Sequence, residues 1–197
     1  MKSVIISIKP YWVFLIIAKT MGWYIYSEKT IEVRKTCPKD NEWNKIGKIY
    51  CTKDKQSFNC IPKEYQPFMQ KFLGKGIGEF VCDYILQFTK DDYDSPYDIS
   101  DDDLSKTCLR QEDLYQYGKG KTLYGWHISD LVIYDDPKEL EAFTTFCYAN
   151  KKRCANCKYY LFDNDDLNGY RRWCDVCHRK PLARPPQSWC YIEGAEE

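Results

Sequence analysis

Histidine is almost missing from this chain, with two residues in 197, and no GxSxG elbow, Walker-type phosphate loop or HExxH helix occurs. Those absences leave serine-hydrolase, P-loop and zincin chemistry without their working parts. Long apolar runs are missing too. The stretch Trp12–Ala18 is closed by Lys19, far short of the ~20 residues that cross a bilayer, so no membrane partner is expected. No secretory leader pattern opens the chain, and the cysteine count is odd, at 11. With the CxxC pairs described below, this points to a reducing cytoplasm in which thiols bind metal or pack rather than form disulfides.

Net charge is absent as well, with 29 basic and 29 acidic residues, but the balance is uneven along the chain. Residues 151–184 hold nine Lys/Arg against four Asp, while residues 1–150 hold 20 basic and 22 acidic residues. A basic tail on a neutral body suits contact with a polyanion and equally suits a solvated surface. Residues 91–103 carry seven Asp and no base. They read as a solvated loop running into a helix near Ser100, because their spacing is not that of an EF-hand.

What the chain has in abundance is aromatic residues, 16% of the total, within a 44% hydrophobic composition. That favours a packed, strand-rich fold. Lys2–Lys9 alternates as a strand, and Pro10 opens a short apolar helix over Tyr11–Met21. Lys29–Lys35 is a strand by its β-branched content, with Thr30, Glu32 and Arg34 on one face and Ile31 and Val33 on the other. A polar row opposite an apolar row is either a solvent face or the wall of a polar cleft. Further strands are expected at Lys48–Thr52, Ile77–Thr89 and Gly125–Tyr134. Helices are expected at Lys63–Leu73, at Arg110–Tyr117 with Gly118 as cap, and from Asp136 to about Phe143. Without regular βαβ alternation, this order predicts an α+β fold built on a small mixed β-barrel rather than a doubly wound sheet.

Two CxxC knuckles, Cys154-Ala-Asn-Cys157 and Cys174-Asp-Val-Cys177, stand 16 residues apart. Two such pairs complete a tetrahedron of sulfurs, and this separation lies in the zinc-ribbon range. A closed four-sulfur set leaves no open position, so a Zn2+ held there is structural. Two disulfides or four free thiols are the competing readings, and His178, Cys147 or Cys190 are substitute ligands. The expected organisation is a barrel over 1–146 and a zinc-binding knuckle or ribbon over 147–197 that packs back on it. His127, in Gly125-Trp126-His127-Ile128-Ser129, reads as a hydrogen-bonded structural histidine in preference to a catalytic base.

Several of these segments, in order, resemble the motifs of ASCH domains of the PUA-like superfamily. They are Ser7-Ile8-Lys9-Pro10, Lys29-Thr30-Ile31-Glu32-Val33-Arg34-Lys35, Gly78-Glu79-Phe80 and Gly125-Trp126-His127-Ile128-Ser129. The tail phrase Arg184-Pro185-Pro186-Gln187-Ser188-Trp189-Cys190-Tyr191 extends the resemblance to bacterial and phage members with cysteine-rich ends. The resemblance implies a small PUA-like barrel with peripheral helices and a cleft that binds RNA or a nucleotide. Its candidate cleft residues here are Lys9, Lys29, Glu32, Arg34, Lys35 and Trp126, the cations meeting phosphates and the indole stacking on a base. Some members are amidohydrolases of acylated cytidine or ribonucleases. Lys29 matches the lysine of the amidohydrolase type, whereas Glu32 stands where that type has threonine, so Lys29 and Glu32 are the candidate catalytic pair. A phage-encoded regulator acting through protein contact is a third reading. The Trp12–Ser27 stretch is longer than the family's usual helix and turn.

Overall fold

The computed structural model describes residues 2–25, 28–39, 43–90, 92, 95–145 and 180–193. All four knuckle cysteines and His178 lie outside the described residues. In chain order the elements are β1 (Lys2–Ile8), α1 (Pro10–Ile17), β2 (Ile31–Arg34), β3 (Ile46–Cys51), α2 (Lys55–Asn59), α3 (Gln66–Met69), β4 (Gly76–Val81) and β5 (Ile85–Phe88). They continue with α4 (Asp101–Thr107), α5 (Gln111–Gly118), β6 (Leu123–His127), β7 (Ser129–Lys138), β8 (Thr144–Thr145), β9 (Lys180–Pro181) and β10 (Trp189–Glu193).

The strands form a seven-stranded sheet in the order β7-β4-β3-β1-β10-β8-β9 and a three-stranded sheet in the order β2-β6-β5. Among the described residues only β1 and β3 pair in parallel; the remaining ladders are antiparallel. The main apolar core lies between the two sheets and under α1, with Val4, Ile6 and Ile8 of β1, Phe80 of β4 and Trp126 of β6 in one cluster. A second cluster on the outer side of β2 joins Ile31 and Val33 to Phe88, Tyr97 and Leu114. Gly125 makes that contact close, since any Cβ there would strike Phe88 and Ile31. The architecture is therefore α+β, two sheets curling round a shared core with helices at the periphery.

Two long strands expected from alternation are each divided between the sheets. Ile77–Thr89 breaks at Cys82–Tyr84 into β4 and β5, and Gly125–Tyr134 breaks at Ile128 into β6 and β7. A period of two survives a change of sheet, so alternation alone does not show the crossing. The helix expected from Asp136 is also replaced, by the end of β7 and a single 3-10 turn at Leu140–Ala142. Because β7 is an edge strand, Pro137 sits in it without removing a ladder hydrogen bond. The segment expected as one helix over Lys63–Leu73 is the short α3 with a 3-10 turn, and α2 precedes it unforeseen. Lys119, not Gly118, takes the left-handed cap of α5 at φ 52°. Gly118 is small for another reason: a Cβ there would overlap the Tyr97 hydroxyl.

Residues 189–193 are part of the large sheet. Strand β10 lies between β1 and β8, with Ile5 opposite Cys190 and Ile6 opposite Trp189. Strands β8 and β9 pair with each other, Thr144 opposite Pro181 and Thr145 opposite Lys180. No helix among the described residues is long and apolar enough to cross a membrane.

Candidate functional site

Strand β2 is buried on both faces. Its apolar row packs outward on α4 and α5, which turns Glu32 and Arg34 inward, toward the opening between the two sheets. There a cleft of about 520 Å³ opens, lined by Ser7 and Lys9 from the end of β1, Trp12 from α1, Glu32 and Arg34 from β2, and Tyr117 from α5. Lys29, Val33, Leu109, Asp113 and Gln116 complete its wall. Of the two alternatives left open by the polar row of β2, the cleft wall is what the fold builds.

The floor is a charged chain. Lys29 is 2% exposed, and its ammonium donates to the carbonyls of Ile31 at 2.8 Å and Thr107 at 2.7 Å. Its third oxygen neighbour is Glu32 Oε2, at 3.3 Å. Glu32 Oε1 lies 2.9 Å from Arg34 Nη2, and the same nitrogen donates to the Ser7 carbonyl at 2.6 Å. Two cations against one carboxylate leave the floor with one positive charge in excess. Removing Glu32 would strand two buried cations, at a cost of about 3–5 kcal/mol, whereas removing either cation leaves Glu32 paired with the other.

The walls are aromatic. Trp12 lies over the Lys29 ammonium at 5.2 Å, and Tyr117 carries Lys35 over its ring at 4.7 Å. Burial pushes the Tyr117 hydroxyl up from its ordinary range, while the nearby Arg34 charge opposes the shift. The ring therefore stays neutral at physiological pH. On the same wall the Arg110 backbone N–H and guanidinium hold the Asp113 carboxyl below the usual carboxylate range. Lys9, largely exposed at the mouth, pairs with Asp54 at 3.4 Å.

Of the cleft residues named from sequence, Lys9, Lys29, Glu32 and Arg34 line one opening, and Lys35 reaches its rim through Tyr117. Trp126 does not belong with them. It is 0% exposed and tilted against Trp43 and Trp189 in the core, on the same sheet face as its register partner Glu32 but one strand farther from the opening. The aromatic surfaces offered to a ligand are Trp12 and Tyr117. Neither was named from sequence, although Asp113, Gln116 and Tyr117 share one helical face at i, i+3 and i+4. Trp12 belongs to the long Trp12–Ser27 stretch, whose Trp23 packs on Phe14, Tyr65 and Phe68 beside α3.

His127 sits apart from the cleft lining. Its Nδ1 is 2.6 Å from Asp83 Oδ1, and its ring stacks on Tyr84 at 4.4 Å. Burial works against the Asp83 charge, but the hydrogen bond from His127, the field of its ring and backbone N–H groups together outweigh it and hold the carboxyl below its usual range. No group of three or more metal-ligating side chains occurs among the described residues.

No family model matches the sequence, and no curated protein does. Among solved structures the chain is similar to the crystal structure of ASCH from Zymomonas mobilis, at 17% identity and a TM-score of 0.42, over 70% of this chain and 73% of that one. It is likewise similar to a tyrosine-to-phenylalanine mutant of that ZmASCH protein, at 16% identity and a TM-score of 0.43, over 71% and 77% of the two chains.

Proposed function

We propose that this chain is a non-enzymatic binder of a nucleotide or of single-stranded nucleic acid, RNA being the expected form, through the cleft between its sheets. The observation that carries the reading is the pairing of two aromatic walls, Trp12 and Tyr117, with a buried Lys29–Glu32–Arg34 floor in a cleft of about 520 Å³. That volume falls in the usual range for small-ligand sites, about 300–1,000 Å³. A base stacks on an aromatic wall, its edge meets the carboxylate and guanidinium of the floor, and Lys9 and Lys35 meet phosphates at the mouth. The ASCH-like order of the sequence motifs supports the same ligand class.

Catalysis by Lys29 and Glu32 is disfavoured on chemical grounds. A general base needs a free lone pair, yet the Lys29 ammonium already donates to two carbonyls and lies 3.3 Å from the Glu32 carboxylate. The four knuckle cysteines are proposed to hold one structural zinc, since a closed thiolate set fits that ion and no open-site chemistry.

The reading is tested by fluorescence anisotropy with short single-stranded RNA and by calorimetry with mononucleotides. Binding should be salt-sensitive, and Trp12→Ala or Tyr117→Ala should weaken it by about 1–3 kcal/mol. Absence of binding by both ligand types at low salt would refute it.

A further inference from the structure

The two flanks of the cleft differ in charge. On the side of α1, the segment 53–75 carries Lys53, Lys55, Lys63, Lys71 and Lys75 against Asp54 and Glu64. Asp54 is already taken by Lys9, and Lys75 by Glu139. Lys53, Lys55, Lys63 and Lys71 are exposed, and none of them enters an ion pair among the described residues. On the side of α5, the segment 98–113 carries Asp98, Asp101, Asp102, Asp103, Glu112 and Asp113 against Lys106 and Arg110. Both of those cations are neutralised locally, Lys106 by Asp102 and Asp103, and Arg110 by Asp113.

The basic flank is continuous with the cleft mouth. The Tyr11 backbone N–H donates to Ser57 Oγ at 3.0 Å, which ties α1 to α2, and Lys9 reaches the residue between Lys53 and Lys55. The Lys53 stem lies against Gly74, so that cation stands at the α3 end of the same surface. Farther along, the Lys71 ammonium lies over Phe68 at 4.0 Å and Phe72 at 5.0 Å, a cation beside the half-buried Phe68 ring, with the Phe72 ring buried beneath. Cations interleaved with aromatics make a track suited to a single strand, with the phosphates on lysine and the bases on rings. The acidic flank repels the same backbone.

We infer that the cleft is the end of a longer single-strand site, and that a strand held there leaves in one direction only, over Lys9, Lys53, Lys55 and Lys63. This rests on the nucleotide-binding reading above and adds its direction, length dependence and residues. Affinity then grows with strand length as phosphates reach the lysines, while a mononucleotide uses the cleft alone.

The test compares a mononucleotide with a 12-nucleotide single-stranded RNA, on the wild-type chain and on the triple variant Lys53→Glu, Lys55→Glu, Lys63→Glu. These exposed positions leave the core untouched, and matching thermal unfolding curves verify that. The expected result is unchanged mononucleotide affinity, at least about 10-fold weaker binding of the long RNA, and a salt slope smaller by about 2, at ~0.7 per phosphate for single strands. Equal affinity of the variant for the long RNA, or length-independent binding by the wild type, overturns the track while leaving the cleft reading intact. Failure of the wild type to bind either ligand overturns the cleft reading and the track together. Tighter long-RNA binding in Asp101→Lys, Asp102→Lys, with the triple variant unaffected, would put the strand on the opposite flank and overturn the assignment.

Discussion

The Ser7 peptide is gripped from both sides: its N–H donates 2.8 Å to the Ser188 carbonyl, and its own carbonyl accepts from Arg34 Nη2 at 2.6 Å. One residue of β1 thus joins the segment leading into β10 to the floor of the cleft. Beyond it Trp189 Nε1 donates to Thr36 Oγ1 at 3.0 Å, two residues past Arg34. The last strand therefore braces β1 and β2 together.

This makes the C-terminal strand a determinant of stability for the whole fold. Ile192 is 1% exposed and packs with Ile5, Leu140, Phe143 and Leu182. Ile192→Ala should lower unfolding stability by about 2–4 kcal/mol through lost burial and the cavity left behind. Urea titration followed by tryptophan fluorescence measures it. A loss below about 0.5 kcal/mol, the range of ordinary surface substitutions, would mean that β10 is not part of the cooperative unit.

The sequence showed the polar face of β2 plainly, because a four-residue strand with alternating Ile, Glu, Val and Arg admits one arrangement of faces. It did not show what stands across from that face. Trp12 and Tyr117 reach the cleft only because α1 and α5 pack beside β2, and that placement depends on long-range contacts. Trp126 misled for the same reason. Its neighbour His127 and its partner Glu32 are both polar, yet the indole itself closes the core. The division of two long alternating runs between sheets was equally hidden, since Cys82–Tyr84 and Ile128 carry no proline or glycine to mark the break.

The thiols should fall into distinct reactivity classes. Burial pushes Cys51 and Cys82 up to about 12 and Cys190 up to about 11, which leaves little thiolate at neutral pH. Cys60 is exposed at the end of α2. Brief iodoacetamide treatment of the native protein, read by peptide mass spectrometry, should label Cys60 first and spare Cys51, Cys82 and Cys190. Early labelling of Cys51 would contradict its burial at the end of β3, opposite Ile8 of β1.

Acid should weaken the outer face of the large sheet in a defined window. The Lys48 ammonium hydrogen-bonds Glu79 and holds its carboxyl below the ordinary range, with Tyr134 Oη donating to the same oxygen at 3.0 Å. A depressed folded-state value means the contribution is complete above the unfolded carboxylate value of about 4.3 and is lost as pH falls through the folded one. Glu79→Gln should therefore destabilise the protein at pH 7 and have progressively less effect toward pH 3. Urea midpoints of both proteins across that range test it; a gap that widens on acidification would reverse the sign.

Freshly prepared, reduced protein should contain about one zinc per chain, and Cys154→Ser or Cys174→Ser should remove it. Elemental analysis decides the point. A metal-free wild type would leave the knuckles without their proposed role, whatever the cleft binds.

The pair that separates binder from enzyme is Lys29 and Glu32. If Lys29 served as a base, Lys29→Met would abolish turnover of an acylated cytidine or a short RNA and leave a folded protein that still binds. If it is a buried strut, the same change leaves the buried Ile31 and Thr107 carbonyls without their donor and should cost about 2–6 kcal/mol of stability, at about 1–3 kcal/mol for each. Lys29→Arg gives a second view, because arginine keeps the charge but cannot place one nitrogen against Ile31, Thr107 and Glu32 together. The expected outcome is no turnover by wild type, a large stability loss in Lys29→Met and a smaller one in Lys29→Arg. Turnover by wild type that vanishes in Lys29→Arg, with the unfolding midpoint unmoved, would make Lys29 catalytic and the protein a hydrolase.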